Sequence, residues 1–383
     1  MTGAQTLALT LTGAGVLRPH GLDSAPLSFA GGQITDAAQA RVVDLSGFRV
    51  LPGIVDVHGD GFERHLAPRR GAMRDLGQGL AATEAELAAN GITTAVLAQF
   101  WSWEGGMRGP DFARRFLDTL SAHRGLGTDL RAQLRVETHL LADYGAIMET
   151  VARHAIGYVV FNDHLPHAAL AAGKRPPRLT GQALKSGRSP DDHLALMRQL
   201  HDQSAQVPPA LDGLSAQMQA LGVIIGSHDD ATAEARSLWR GRGAAVSEFP
   251  ETRIAATAAR AGGDMIVLGA PNVVRGGSHS GNVAAADLVV DGLCDALASD
   301  YHYPAPRQAA LMLADQLGLP AAWDLVAAGP ARLLGLTDRG SLVPGQRADL
   351  VVMDPSGHVG ATIAGGRITH MSGPVAARFI GTA

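Results

Sequence analysis

The sequence is poor in cysteine and in lysine. Its one cysteine, Cys294, cannot form an internal disulfide, and this composition fits a reducing compartment. Lysine occurs only at Lys174 and Lys185, so arginine supplies nearly all of the 32 basic residues. A site that depends on a lysine elsewhere in the chain is therefore excluded.

Long apolar runs and a strong charge excess are also absent. No stretch reaches the roughly 20 apolar residues that a membrane-spanning helix needs, and the first residues carry no basic leader segment. A formal net charge of −4 gives no reason to expect nucleic acid or a membrane surface as a partner. We therefore expect a cytoplasmic protein that binds neither of them.

The chain does contain an alternation of apolar strands and helical stretches between residues 51 and 339. Eight strands are predicted, at residues 53–58, 91–98, 134–140, 157–161, 222–225, 244–248, 265–268 and 296–299. Eight strand–helix repeats indicate an α/β fold, and a (β/α)8 TIM-like barrel rather than an open sheet. Short strands with glycine turns at residues 1–50 and 340–383 predict a small β-sandwich domain made from both chain ends.

The connection at about 165–220 is longer than a barrel loop normally is. It carries both lysines together with Arg175, Arg178 and Arg188. Two interpretations stay open for this insertion. It is either a solvated surface segment or a basic lid over an anionic substrate.

Polar residues stand where five of the predicted strands end. In the stretch LPGIVDVHGDGFER, His58 and Asp60 are two residues apart, so their side chains leave a strand on the same face. By itself, this pair could hold a metal or form a polar turn. The same chemistry recurs after later strands, at Glu137, His164, His228 and Asp300. Active-site residues of such barrels lie at the C-terminal strand ends. Because imidazole with carboxylate suits zinc, manganese or iron, we predict one or two divalent ions, with zinc preferred.

The segment PGIVDVH and the tail GSLVPGQRADLVVMD resemble the amidohydrolase superfamily of metal-dependent hydrolases. The resemblance covers essentially the whole chain. It implies a one- or two-metal centre built from a first-strand motif, a bridging acidic ligand, two later histidines and an eighth-strand aspartate. The matching residues are His58, Asp60, Glu137, His164, His228 and Asp300.

This chain departs from the superfamily pattern at two positions. Asp60 replaces the usual second histidine of the first-strand motif, and whether it binds metal stays open. Many relatives bridge their metals with a carboxylated lysine. The only lysines here lie in the insertion, so Glu137 is the natural bridge. On the sixth strand, Glu248 stands where a histidine is expected, and its role as a ligand is open as well.

A narrower resemblance concerns the substrate. The ordered segments HGDGFER, PRRG, FNDH, GSHDD and APNVVRGGSHSGN resemble one amidohydrolase family, the alpha-D-ribose 1-methylphosphonate 5-triphosphate diphosphatases of bacterial phosphonate metabolism. This resemblance implies that diphosphate is released from a ribose triphosphate, leaving the 5-phosphate. The expected partner is thus a phosphorylated sugar, and a homo-oligomer is expected.

Candidate phosphate contacts follow the first and seventh strands. Arg64 comes soon after the first metal motif, and the predicted loop 271–282 supplies Arg275, Ser278 and His279. Loops after the seventh strand of such barrels commonly bind phosphate, and the guanidinium fork matches phosphate geometry. The other interpretation of this loop is a tight turn with a surface arginine.

The preferred function is metal-dependent hydrolysis of a phosphoanhydride, with Asp300 as the general base that takes a proton from water. One alternative is hydrolysis of a C–N bond, as in a cyclic amidase, a deacetylase or a deaminase. The arginine-rich loops favour the first function, because a cyclic amide needs few cations. A third possibility, a metal-free scaffold protein, is disfavoured by the retained ligand set.

Overall fold

A computed structural model of the chain describes residues 6–67, 75–277 and 283–381. Within these ranges the strands are β1 (Leu9–Thr12), β2 (Gly15–Arg18), β3 (Gly21–Asp23), β4 (Leu27–Ala30), β5 (Gln33–Thr35), β6 (Val42–Asp44), β7 (Arg49–Pro52), β8 (Ile54–Gly59), β9 (Ile92–Trp101), β10 (Asp129–Glu137), β11 (Tyr158–Asn162), β12 (Ile224–His228), β13 (Val246–Glu248), β14 (Met265–Gly269), β15 (Ala296–Ala298), β16 (Leu350–Met353), β17 (Val359–Ala364) and β18 (Arg367–Met371).

The helices of the described residues are α1 (Glu63–Leu66), α2 (Leu76–Ala89), α3 (Pro110–Ala122), α4 (Tyr144–Arg153), α5 (His167–Ala171), α6 (Leu179–Ser186), α7 (Pro190–Asp202), α8 (Val207–Ala220), α9 (Ala233–Gly241), α10 (Arg253–Ala261), α11 (Ala270–Arg275), α12 (Ala285–Val290), α13 (Ala305–Leu317), α14 (Leu319–Asp324), α15 (Ala328–Leu333) and α16 (Gly373–Ile380). Short 3-10 turns lie at Gly106–Arg108, Leu141–Asp143 and Ser204–Gln206. In the described part of the chain, no helix has the length and apolar character that crossing a bilayer requires.

Strands β8 to β15 form one eight-stranded parallel sheet in which the spatial order follows the chain order. Every residue of β8 and of β9 is buried, as expected for parallel strands that are covered on both faces. An isolated parallel bridge between Gly59 and Asp300 joins the two ends of the sheet. The predicted (β/α)8 barrel is confirmed.

The third barrel strand differs from its prediction. β10 ends at Glu137 rather than at residue 140. The N–H of Leu140 donates to the carbonyl of Glu137 (3.3 Å), which turns the chain. His139 therefore lies in a turn, and Glu137 is the last residue of its strand.

Two smaller sheets come from the chain ends. One has the order β5-β4-β1-β6, and the other has the order β18-β17-β16-β7-β2-β3. They share one buried apolar core, which includes Leu9, Phe29, Val50, Leu350 and Ile363. The β-sandwich made from both chain ends is thus present, whereas the domain boundaries near residues 50 and 340 stay a prediction.

The long connection between β11 and β12 is helical. Helices α5, α6 and α7 enclose a small apolar core that includes Leu170, Leu194 and Met197, and α8 packs against β12. Arg188 donates to the carbonyl of Trp103 (2.7 Å), which ties the insertion to the turn after β9. This packing gives the insertion a defined structure, and its role as a lid stays a prediction.

The segment 271–282, predicted as a loop, begins as a helix, so the prediction is wrong for residues up to Arg275. Pro271 suits the first turn of α11, where the missing N–H has no helical partner to lose. Gly276 ends the helix in the left-handed conformation, with φ of +76°.

The chain divides into two compact units. The first consists of Met1–Leu97, His123–Arg131 and Val267–Ala383, and the second of Ala98–Ala122 and Ala132–Ile266. The first unit carries the predicted ligands His58, Asp60 and Asp300. The second unit carries Glu137, His164 and His228.

Ser299→Ala should destabilise the first unit. The Ser299 hydroxyl donates to Asp56 Oδ2 (2.6 Å), and both residues are fully buried. Leaving that buried carboxyl oxygen without its donor costs about 1–3 kcal/mol, which should lower the urea midpoint. Ser46→Ala is the matched control, because the Ser46 hydroxyl pairs with Asp44 at an exposed site. Equal midpoints for the Ser299 variant and the unmodified protein would contradict the expectation.

Candidate metal centre

His58 and Asp60 lie where the first barrel strand ends, and two backbone hydrogen bonds fix their position. The N–H of Asp60 donates to the carbonyl of Asp300 (2.9 Å), and the N–H of Asp300 donates to the carbonyl of His58 (2.9 Å). His58 is fully buried, and Asp60 is half-buried. The three predicted ligands of the first unit are therefore neighbours where β8 meets the end of β15.

Steric crowding explains why the HGDG motif has glycine at both Gly59 and Gly61. A Cβ atom at Gly59 would lie 2.8 Å from both Asp56 Oδ2 and Ser299 Oγ. A Cβ atom at Gly61 would lie 3.2 Å from the ring of Tyr303. Only glycine lets the backbone approach these side chains without displacing them. The motif therefore packs the strand end as well as carrying the candidate ligands.

Asp56 is a buried carboxyl group that the sequence pattern did not single out. Its Oδ1 accepts from the N–H of Ser299 (2.9 Å), in addition to the bond between Oδ2 and the Ser299 hydroxyl. Burial raises the pKa of Asp56, and the hydrogen bonds from Ser299 oppose that rise. Asp56 thereby holds the residue that precedes Asp300.

In the second unit, Glu137 and His164 form a close pair. Glu137 is fully buried, with Oε1 2.5 Å from His164 Nδ1 and Oε2 accepting from Trp103 Nε1 (3.2 Å). Burial alone would raise the pKa of Glu137, but the hydrogen bond and charge of His164 outweigh it and lower that pKa. Burial would lower the pKa of His164, but Glu137 outweighs it and raises that pKa. The metal-free protein thus favours a charged pair here.

His228 has a buried cation beside it. Arg135 Nη2 donates to His228 Nε2 (2.8 Å), and the guanidinium carbon lies 4.0 Å from the ring centre of Phe100. Burial and then the charge of Arg135 lower the pKa of His228, which favours the neutral imidazole. The other ring nitrogen, Nδ1, lies 3.0 Å from Asp229 Oδ2.

The second unit therefore contains a donor set that suits a metal ion. His164, His228 and Asp229 each offer a ligand atom, and these atoms all lie within 4.8 Å of one another. Glu137 adjoins this group through His164. Two imidazoles with carboxylates are a ligand set typical of zinc and of neighbouring transition metals.

Glu248 ends β13 and is fully buried. Its Oε1 accepts from Gln133 Nε2 (2.9 Å) and from Tyr158 Oη (3.1 Å). Its Oε2 lies 3.8 Å from His228 Nε2. One oxygen thus binds neutral donors while the other faces a predicted ligand, so the role of Glu248 at the metal stays open.

Three turns after barrel strands hold a non-glycine residue in the left-handed region. The φ angle is +59° at Asp229, +56° at Phe249 and +54° at Asp300. Such backbone costs of order 1–3 kcal/mol per residue and clusters at functional sites. These three residues follow the fifth, sixth and eighth strands, at the same end of the barrel as the predicted ligands.

The predicted phosphate-binding arginines have partners in the first unit. Arg64 forms an ion pair with Glu86 and donates to the carbonyl of Tyr301 (2.9 Å). Arg275 donates to the hydroxyl of Tyr301. Both guanidiniums therefore contact one tyrosine. Ser278 and His279, the two other predicted phosphate contacts, lie outside the described residues.

Arg135 is another residue of the site that the sequence pattern missed. It lies two residues before Glu137 on β10, so the two side chains share a face of the strand. A barrel strand is covered on both faces, and a buried arginine is rare without a partner. That signal could have identified it.

Comparison with known proteins identifies the family of the chain. No protein-family model matches it. The Escherichia coli (strain K12) protein named alpha-D-ribose 1-methylphosphonate 5-triphosphate diphosphatase is 31% identical in an alignment of 347 residues that covers 86% of this chain and 90% of that relative. The chain belongs to the amidohydrolase superfamily, in the family of this diphosphatase. It is therefore a hydrolase of that superfamily.

Solved structures show the same fold at low sequence identity. The beta-aspartyl dipeptidase of Fervidobacterium islandicum AW-1 has a TM-score of 0.64 and 14% identity, covering 97% of this chain and 98% of that chain. A variant of the N-acetyl-D-glucosamine-6-phosphate deacetylase of Mycobacterium smegmatis has a TM-score of 0.60 and 18% identity, covering 96% of this chain and 100% of that chain. Identities this low support the fold alone.

Arg135→Gln should raise the pKa of His228 in the metal-stripped amidohydrolase. The substitution removes the positive charge that disfavours a second cation on the imidazole, while burial remains. Histidine chemical shifts followed against pH by NMR measure the change. Arg114→Gln is the control, because Arg114 lies over the ring of Trp101 and bonds Asp111 instead. An unchanged or lowered pKa of His228 would contradict this electrostatic assignment.

Proposed function

We propose that this protein hydrolyses alpha-D-ribose 1-methylphosphonate 5-triphosphate to the 5-phosphate and diphosphate in phosphonate catabolism. The observation that carries the proposal is the 31% identity, over 86% of the chain, to the Escherichia coli protein of that name. The imidazole and carboxylate groups at the barrel strand ends support it, because they supply the chemistry that such a hydrolase needs.

The donor sets of the two units support a divalent metal, which we take to be zinc. The proposed ligands are His58, Asp60, Glu137, His164, His228 and Asp300. When bound, such an ion supplies positive charge to phosphoryl oxygens and lowers the pKa of water. Glu137, which is fully buried and paired with His164, is the ligand proposed to bridge if two ions bind.

The proton transfer is assigned to Asp300. Its N–H and its carbonyl are both bonded to the end of β8, so the backbone of Asp300 is fixed next to that of His58 and Asp60, which supports this assignment. A carboxylate held there accepts a proton from the attacking water without first having to be repositioned. Asp56 and Ser299 support this by fixing the preceding residue.

The phosphates are assigned to Arg275 and Arg64. Both contact Tyr301, Arg64 at its backbone carbonyl and Arg275 at its hydroxyl, so the two guanidiniums bind one residue. Phosphoryl transfer depends mainly on positioning and charge neutralisation, for which guanidinium forks are suited. Arg64 also pairs with Glu86, and a phosphate oxygen would have to replace that carboxylate as its partner.

Water should attack the phosphorus nearest the ribose. The new bond joins the water oxygen to that phosphorus, the bond to diphosphate breaks, and the water proton passes to Asp300. Hydrolysis in ¹⁸O-water should therefore label the ribose 5-phosphate and leave the diphosphate unlabelled. Label in the diphosphate, or orthophosphate as the first product, would contradict the assignment.

A C–N substrate assayed in parallel tests the alternative reaction class. Cyclic amides and N-acetyl sugars should release no amine. Amine release without any diphosphate from the triphosphate would replace the proposed function with C–N hydrolysis.

Asp300→Asn should lower kcat on the triphosphate by about 10²- to 10⁴-fold, because general base catalysis is typically worth that much. Most of the bound metal should remain, as measured by elemental analysis. Asp287→Asn, at an exposed position on α12, is the matched control and should keep the full rate. Loss of metal in step with loss of rate would show that Asp300 is primarily a ligand.

A further inference from the structure

A second group of imidazole and carboxylate side chains lies within the second unit. It consists of His139 after β10, Asp163 after β11 and His167 at the start of α5. One ligand atom from each lies within 4.8 Å of the other two. His201, in the last turn of α7, adjoins the group. None of these four residues belongs to the ligand set proposed above.

The distances within this group match those between ligands of one metal ion. Zinc–nitrogen and zinc–oxygen bonds are about 2.0–2.1 Å, so two ligand atoms of a tetrahedral site lie roughly 3.3 Å apart. His167 Nε2 lies 3.0 Å from Asp163 Oδ2, and His139 Nδ1 lies 3.6 Å from Asp163 Oδ1. The three side chains thus need only small adjustments to bind one ion.

The hydrogen bonds of His139 direct a lone pair towards Asp163. The hydroxyl of Ser204 donates to the carbonyl of His201 (2.6 Å), so its oxygen can accept from His139 Nε2, 3.2 Å away. With the proton on Nε2, the neutral ring carries its lone pair on Nδ1. That atom lies 3.6 Å from Asp163 Oδ1 and 3.1 Å from the hydroxyl of Thr138.

His167 has the arrangement of a ligand with an orienting partner. Its Nδ1 lies 2.8 Å from His201 Nδ1, while its Nε2 lies 3.0 and 3.1 Å from the two carboxylate oxygens of Asp163. Metal-binding histidines usually donate the N–H of the second ring nitrogen to a neighbouring acceptor. With that proton on Nδ1, the Nε2 lone pair points at a carboxylate, an arrangement that a cation between them stabilises.

We propose that His139, Asp163 and His167 bind a divalent transition-metal ion of the zinc class, with His201 as a positioning residue. Three protein ligands leave one coordination position for water or another small ligand. The side chains of Asp163 and His167 are 40% and 35% exposed, so ions can reach them from solvent.

This ion would join three separate segments of the second unit. His139 and Asp163 follow two adjacent barrel strands, and His167 begins the helical insertion. The site would therefore fix the start of the insertion to the barrel. It is independent of the proposed function, because none of its ligands is assigned to the reaction.

Zinc titration of the chelator-stripped, full-length protein tests the site. Elemental analysis and calorimetry should show one equivalent fewer for His167→Gln than for the unmodified protein, and the same loss for Asp163→Asn. His201→Gln should keep that equivalent with about 10- to 100-fold weaker affinity, as expected for an orienting partner. Circular dichroism of each variant checks that it is folded.

Two controls make the result specific. His154→Gln removes a histidine that pairs with Asp118 and that belongs to no group of three candidate ligands among the described residues, so this variant should bind as many equivalents as the unmodified protein. Glu137→Gln should lose metal from the main centre while a separate equivalent remains sensitive to His167→Gln. Equal stoichiometry for the unmodified protein and both the His167 and Asp163 variants would overturn the proposal. An equal loss in His154→Gln would overturn it as well.

Discussion

The backbone connection between the end of β8 and the turn after β15 is the contact on which the candidate ligands of the first unit depend. Two hydrogen bonds link Asp300 to His58 and Asp60. Because these bonds are between backbone groups, they bring the three residues together whatever their side chains bind. Asp56 and Ser299 add a buried bond beside them. The backbone bonds that close the barrel between β8 and β15 therefore also bring these three residues together.

In the second unit, the candidate site contains charged side chains that are buried, Glu137 and Arg135. Glu137 loses its hydration completely, and His164 compensates by hydrogen bonding and by charge. Arg135 is buried next to His228 and lowers the pKa of that histidine. Buried charges are tolerated when they are paired, or when they bind a metal. The groups that pair with one another in the metal-free protein are therefore also of the chemical types that bind an ion.

Much of the architecture was predictable because its signals are local. Strands that are buried on both faces give continuous apolar runs, and the polar residue that ends each run marks the end of the strand. Two of the predicted element boundaries were wrong, because a single turn or a single proline sets the boundary there. Leu140 bonds back to Glu137 and ends β10 early, and Pro271 begins a helix where a loop was predicted.

The sequence by itself determined the barrel, the sandwich from both chain ends and the residue types available for metal chemistry, because periodicity and residue type act over short distances. Tertiary structure decided which side chains meet. Arg135 contacts His228 across 93 positions of the chain, and His167 meets His201 across 34. Partner choice over such separations depends on how strands and helices pack. A local sequence pattern does not predict that packing. Each side chain could bind several different partners, and the fold decides which of them lies within contact distance.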